Sequence, residues 1–104
     1  DIVPLLEKHT EPGSLIGMTG GGNVGYFIQD RTIVNMDGLI NSYAYFQALQ
    51  TRQGGEYLEK IGLDYVLANP VILDQQPYKG QFNEYLEPLK IYYGGKQLMR
   101  YRAP

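Results

Sequence analysis

Hydrophobic positions change period several times along the chain, and each change marks an element. Ile2, Val3, Leu5 and Leu6 share one side of a helix that Glu11-Pro12-Gly13 ends, since proline and glycine both stop helices. The apolar run SLIGMT (14–19) predicts a buried strand entering a glycine-rich loop. Val24, Phe27 and Ile28 then recur at helical spacing, which predicts a short helix over 23–29. RTIVNMDG (31–38) reads as a second strand closed by a turn at Asp37-Gly38. Asn41 or Ser42 can cap a helix whose apolar face is Tyr43, Phe46, Ala48 and Leu49, with Gly54-Gly55 as its break. GEYLEKIG (55–62) predicts another helix, stopped by Gly62, and LDYVLANP (63–70) a third strand. The stretch 71–85 is irregular and reads mostly as loop, anchored by Val71, Ile72 and Leu73. Two alternating runs around Gly94-Gly95 (88–102) predict a hairpin, because both glycines accept positive φ.

Strands separated by helices imply parallel pairing with right-handed crossovers. The expected fold is therefore α/β: a small three-layer-type domain with a mainly parallel sheet of βαβ units and a C-terminal antiparallel hairpin. At 104 residues the chain is expected to be one domain, 1–104. Its opening, a helix-like pattern without an initiator methionine, suggests a fragment of something longer. Hydrophobic residues at 43% against 19% charged argue for folding over disorder. The net charge of -2 offers no general attraction to nucleic acid, and no nucleic-acid partner is expected. Charge is uneven, however: from Lys90 onward Lys90, Lys96, Arg100 and Arg102 face no acid, so this stretch is +4 and the rest -6. The absence of cysteine excludes disulfides, thiol nucleophiles and Cys-ligated metals.

The loop TGGGNVGYF (19–27) contains Gly20-x-Gly22-x-x-Gly25 between a predicted strand and helix, where amides and the helix dipole can hold a pyrophosphate. Asp37 follows Gly20 by 17 residues, near the place of a ribose-binding acid. Against a nucleotide or dinucleotide module, Arg31 follows Gly25 by only six residues, short for a crossover helix. Asp37 also sits before a glycine in a turn. The glycines are better explained by close packing of helix on strand, and no cofactor is expected.

Read together, GSLIGMTGGGNVGYFIQDRTIVNMDGLINSYAYFQAL and YLEKIGLDYVLANP resemble a family pattern. The chain is similar to the C-terminal soluble domain of polytopic GT-C class membrane glycosyltransferases that use a polyprenyl-phosphate sugar donor, including dolichyl-phosphate-mannose-type mannosyltransferases. The resemblance rests on the order of Gly17-Met18, Gly25-Tyr26-Phe27, Val34-Asn35-Met36-Asp37-Gly38-Leu39-Ile40-Asn41 and Gly62-Leu63-Asp64-Tyr65-Val66-Leu67, and covers about residues 11–70. The segment 71–85 departs from it. Catalytic acids of that class lie in loops of the membrane part, so the resemblance implies no catalytic residue here and no transfer activity by this chain alone. It implies a place on the extracytoplasmic face of the membrane, where the domain supports acceptor binding or active-site architecture, with the rest of the parent membrane protein as partner and a saccharide or lipid-linked substrate nearby.

Asn35, Asp37 and Asn41 fall at the C-terminal end of a predicted parallel strand, where open α/β sheets bind ligands, and Gly22 and Asn23 belong to the neighbouring loop. These five are the candidate ligand or acceptor contacts; the alternative for Asp37 and Asn41 is turn and cap formation. His9 is the only histidine, which rules out a His-based metal cluster, and at a helix end it reads as solvated or capping. Asp30 with Asp37, and Glu84 with Glu87, read as solvated charges. Ten tyrosines cannot all be core, because Tyr43 and Tyr45, like Tyr92 and Tyr93, point to different faces. Some must meet a saccharide, a protein surface or the membrane interface, which keeps a tyrosine-rich interaction domain open as a further reading. The basic hairpin can face lipid headgroups or protect an edge strand.

Overall fold

The computed structural model describes residues 2–19, 30–36 and 43–103, without the side chains of Ile2 and Asn35. Within them, helix α1 (Ile2–His9) leads to strand β1 (Leu15–Met18), then β2 (Thr32–Asn35), helices α2 (Tyr43–Gln50) and α3 (Gly54–Lys60), and β3 (Tyr65–Ala68). A one-turn helix α4 (Pro70–Leu73), a 3-10 turn (Asn83–Tyr85) and the hairpin β4 (Leu86–Tyr93) and β5 (Lys96–Tyr101) complete the chain. The five strands form one sheet in the order β2-β1-β3-β5-β4. β1 pairs in parallel with β2 on one side and β3 on the other, and the hairpin extends the sheet with antiparallel pairings. This is the α/β architecture that alternating strands and helices predict. Among the described residues, no helix is long and apolar enough to cross a membrane.

Side-chain alternation divides the core between the sheet faces. Tyr65 and Leu67 of β3 join Ile16, Met18 and Leu98 on the face that receives Leu6 of α1. Val66 and Ala68 point the other way, to Met99, Tyr101 and the buried residues of α2, α3 and α4. Helices on both faces give three layers. α1 ends as expected, with Gly13 at φ 88° taking the positive dihedral that the turn into β1 requires.

Three local expectations are corrected. The buried residues of α2 are Tyr45 and Leu49, while Tyr43 is 75% exposed. YAYFQALQ carries apolar residues on nearly every side, so period alone does not orient it; the Tyr45 hydroxyl does, donating to the Met36 carbonyl at 2.8 Å. Gly54-Gly55 is not the helix break, because the chain turns at Thr51-Arg52, with Arg52 at φ 61°, and both glycines lie buried in the first turn of α3. Finally, 71–85 is not anchored by all three apolar residues named. Leu73 is buried, but Val71 and Ile72 are exposed, and Tyr78, Gln81 and Phe82 do the anchoring.

Candidate functional site

All three parallel strands run out at the same edge of the sheet, and the hairpin turn lies there too. Gln97 pairs with Ala68, the last residue of β3, which puts Tyr93, Gly94, Gly95 and Lys96 just past the end of that strand. β1 has β2 on one side and β3 on the other, so the order of the parallel strands reverses between β1 and β3. Open α/β sheets bind ligands at such a switch point.

The described groups at this carboxyl edge are mostly polar or aromatic. Lys96 reaches past the end of β3 and its Nζ donates to the Thr19 carbonyl, at the exit of β1, at 3.4 Å. Asn69 leaves β3 and caps α4: its Oδ1 accepts the Val71 amide at 2.9 Å, and Pro70 occupies the first helical position, where its missing N–H costs nothing. The same side chain stands against the hairpin turn, its Nδ2 3.7 Å from where a Cβ on Gly95 would lie. Tyr92 and Tyr93, 62% and 39% exposed, flank the turn on opposite faces of β4. Met36 continues the ladder past β2 by donating its amide to the Met18 carbonyl at 2.9 Å.

Of the sequence-nominated contacts, Asn35 ends β2 opposite Met18, at this edge. Gly22, Asn23, Asp37 and Asn41, together with Gly20 and Gly25 of the glycine spacing and the expected helix over 23–29, lie outside the described residues. Thr19, Asn69 and Lys96 escaped the sequence reading. Asn69-Pro70 after a strand was a visible cap signal, but Lys96 joins the edge only through the order of strands, across 77 positions. His9 is exposed at the end of α1, as expected. Glu87 pairs with Arg102 at 3.2 Å, with both side chains at least half exposed, a contact of small energetic weight. Among the described residues, no three His, Asp or Glu groups gather where they could hold a metal.

Residues 1–101 match the family described as Domain of unknown function (DUF8728). The chain belongs to the DUF8728 family. No curated protein and no solved structure matches it.

The opposite edge of this DUF8728 chain is organised differently. An open concavity of about 370 Å³, lined by Glu11, Ser14, Asp64, Tyr65 and Arg100 among others, lies where the parallel strands begin. Its charges are engaged with each other and with the backbone. The Tyr65 hydroxyl donates to the Glu11 carboxylate, the Arg100 guanidinium lies 5.2 Å from the centre of the Tyr65 ring, and Asp64 accepts the Leu15 amide at 2.9 Å. The Tyr65 hydrogen bond, with smaller help from a backbone amide and from Arg100 and Arg31, holds the Glu11 carboxyl below the usual carboxylate range. Burial, then the Glu11 carboxylate, push the Tyr65 hydroxyl up. This arrangement clasps the end of α1 to β3 and β5.

The depressed Glu11 carboxyl has a consequence for acid stability. A group whose pKa falls on folding contributes stability above its unfolded pKa and loses it as pH falls through the folded one. Glu11→Gln is therefore expected to be less stable than the parent at neutral pH and to lose the difference in the acid range. Denaturant midpoints measured from neutral pH downward check this; curves that stay parallel throughout would show that the clasp is not linked to Glu11 ionisation.

Proposed function

We propose that this chain is a non-catalytic, extracytoplasmic α/β domain of a membrane glycosyltransferase that uses a lipid-linked sugar donor, and that it supports acceptor binding at the carboxyl edge of its sheet. One observation carries the reading. The described parts of the resembling segments, Gly17-Met18, Val34-Asn35-Met36 and 62–67, lie on or border the three neighbouring strands β1, β2 and β3, and Tyr92, Tyr93 and Lys96 arrive at the same edge from the hairpin. Exposed tyrosine rings suit a saccharide because the C–H face of a pyranose packs on an aromatic face while its hydroxyls bond to nearby polar groups.

The test begins with the gene. A reading frame that encodes, with this chain, several apolar runs of about 20 residues supports the reading. Sugar transfer from a polyprenyl-phosphate donor is then assayed with the complete product in membranes. The Tyr92→Ala, Tyr93→Ala double variant is expected to raise the acceptor KM about tenfold with little change in kcat, the size of one or two lost aromatic contacts. A frame without such runs, or unchanged acceptor kinetics in the variant, would defeat the proposal in its membrane or its acceptor part.

A further inference from the structure

We propose that Lys96 and Asn69 form an anion subsite at the carboxyl ends of β1 and β3, where the strand order reverses, and that its ligand is a phosphoryl group. The identification of that group with the phosphate of a lipid-linked sugar rests on the glycosyltransferase reading; the subsite itself does not.

Lys96 is a partly buried residue whose side chain reaches past the end of β3 to a backbone carbonyl. An ammonium has three donors, and the described contact of Lys96 is a single long bond to a neutral carbonyl, that of Thr19. Among the described residues, no carboxylate lies within ion-pair distance of it, whereas Arg102 has Glu87. Two of its donors are left for something else.

Asn69 presents a second donor in a set direction. Its Oδ1 accepts the Val71 amide, and its Nδ2 lies beside Gly95, the residue that precedes Lys96. With its oxygen facing the α4 amide, the side chain has both Nδ2 hydrogens to offer a ligand. Donors from two strand ends, with a positive charge on one, favour a ligand that is anionic and rich in acceptors. A phosphoryl group meets both needs better than a carboxylate, because it carries more negative charge and three acceptor oxygens, and lysine binds it as a point charge. The location is where open α/β sheets hold ligands.

The chain is titrated with inorganic phosphate while the Asn69 side-chain amide and the Gly95 and Lys96 backbone amides are followed by NMR. Saturable shifts in the millimolar range are expected. Lys96→Met should weaken binding about tenfold or more, while Lys90→Met, which removes the same charge from an exposed position on β4, should not. Asn69→Asp is the second variant. It keeps the cap acceptor, so α4 is retained, but it replaces the donor with a negative charge and should abolish binding even if Lys96→Met proves unstable. No saturable shift up to tens of millimolar phosphate, or equal binding by parent, Lys96→Met and Asn69→Asp, would overturn the subsite.

Co-sedimentation with neutral vesicles, with and without polyprenyl monophosphate, identifies the carrier. Lys96-dependent binding to the phosphate-bearing vesicles supports a lipid-linked ligand; phosphate binding without vesicle binding assigns the subsite to a free anion and overturns the lipid identity. The outcomes separate the two proposals. Phosphate binding by a protein without transferase activity sinks the glycosyltransferase reading and leaves the subsite, and transfer without phosphate binding does the reverse.

Discussion

Gln81→Leu is expected to destabilise the chain by about 2 kcal/mol or more, because it leaves the buried Gly54 amide and the part-buried Pro77 carbonyl without partners, at about 1–3 kcal/mol for a buried group, and removes one of the two donors to the Leu49 carbonyl. The Gln81 side chain is buried, and its amide is fully used. Its Nε2 donates to the Leu49 carbonyl at 3.0 Å and the Pro77 carbonyl at 2.7 Å, and its Oε1 accepts the Gly54 amide at 2.8 Å. Leu49 ends the buried stripe of α2 and Gly54 opens α3, so one residue satisfies both sides of the α2–α3 turn and ties it to the segment 74–82. Leucine fills a similar volume and bonds to none of them. Gln81→Glu is the sharper comparison: it restores the acceptor but replaces the donor with a carboxylate, and the buried charge should make it no better than leucine. Chemical denaturation of the three proteins checks the claim. A loss for Gln81→Leu below about 1 kcal/mol would mean that water takes over the orphaned groups.

That network explains why 71–85 resists reading from sequence. QQPYKGQFNEY has no sustained period because its apolar members, Tyr78 and Phe82, enter the core from consecutive turns, their rings 6.1 Å apart. A buried glutamine also gives no signal of its own: Gln75, Gln76 and Gln81 look alike in sequence, and only Gln81 is buried. The hairpin stands at the other extreme. Two alternating runs around Gly94-Gly95 specify pairing partner and turn together, and the register across Tyr93 and Lys96 follows.

The candidate site falls between these cases. Local pattern located β1, β2 and β3, and with β2 Asn35, although β2 ends at Asn35, before the expected turn at Asp37-Gly38. It could not bring Lys96 to Thr19. That contact requires β5 to lie beside β3 and β3 beside β1, a decision made by burial on both sheet faces and not by any stretch of ten residues. The clasp of Glu11, Tyr65 and Arg100 is hidden for the same reason, since its members come from three distant segments. In sequence Arg100 was only part of a basic tail; in the fold it lies over an aromatic ring at the amino edge, while Lys96 of the same strand serves the carboxyl edge. The +4 stretch is thus divided between the two edges rather than forming one basic surface.

Gly55→Ala carries the second large effect, an expected loss of about 2–3 kcal/mol from overpacking. Alanine ordinarily favours a helix over glycine by about 1 kcal/mol, so propensity alone predicts a gain, and the sign of the result separates propensity from packing. A Cβ on Gly55 would lie 2.4 Å from the Gln81 carbonyl oxygen and 2.6 Å from Cε1 of Tyr85. The first is backbone, held by the same segment that Gln81 secures, and the second belongs to a ring stacked on Tyr101 at 5.3 Å. The Tyr101 hydroxyl in turn donates to the Gly55 carbonyl at 2.8 Å, so α3 cannot retreat from the clash without giving up a buried bond. Gly54→Ala meets mainly side-chain ends, the Gln81 Oε1 at 2.7 Å and a Leu49 methyl at 2.9 Å, and should cost less. In thermal melts the order expected is parent, Gly54→Ala, Gly55→Ala, with the last lowered by roughly 10 °C or more for a domain of this size. A Gly55→Ala protein as stable as the parent would mean that the 74–85 segment yields to α3, and the tie between that segment and the helices would then be looser than the Gln81 bonds imply.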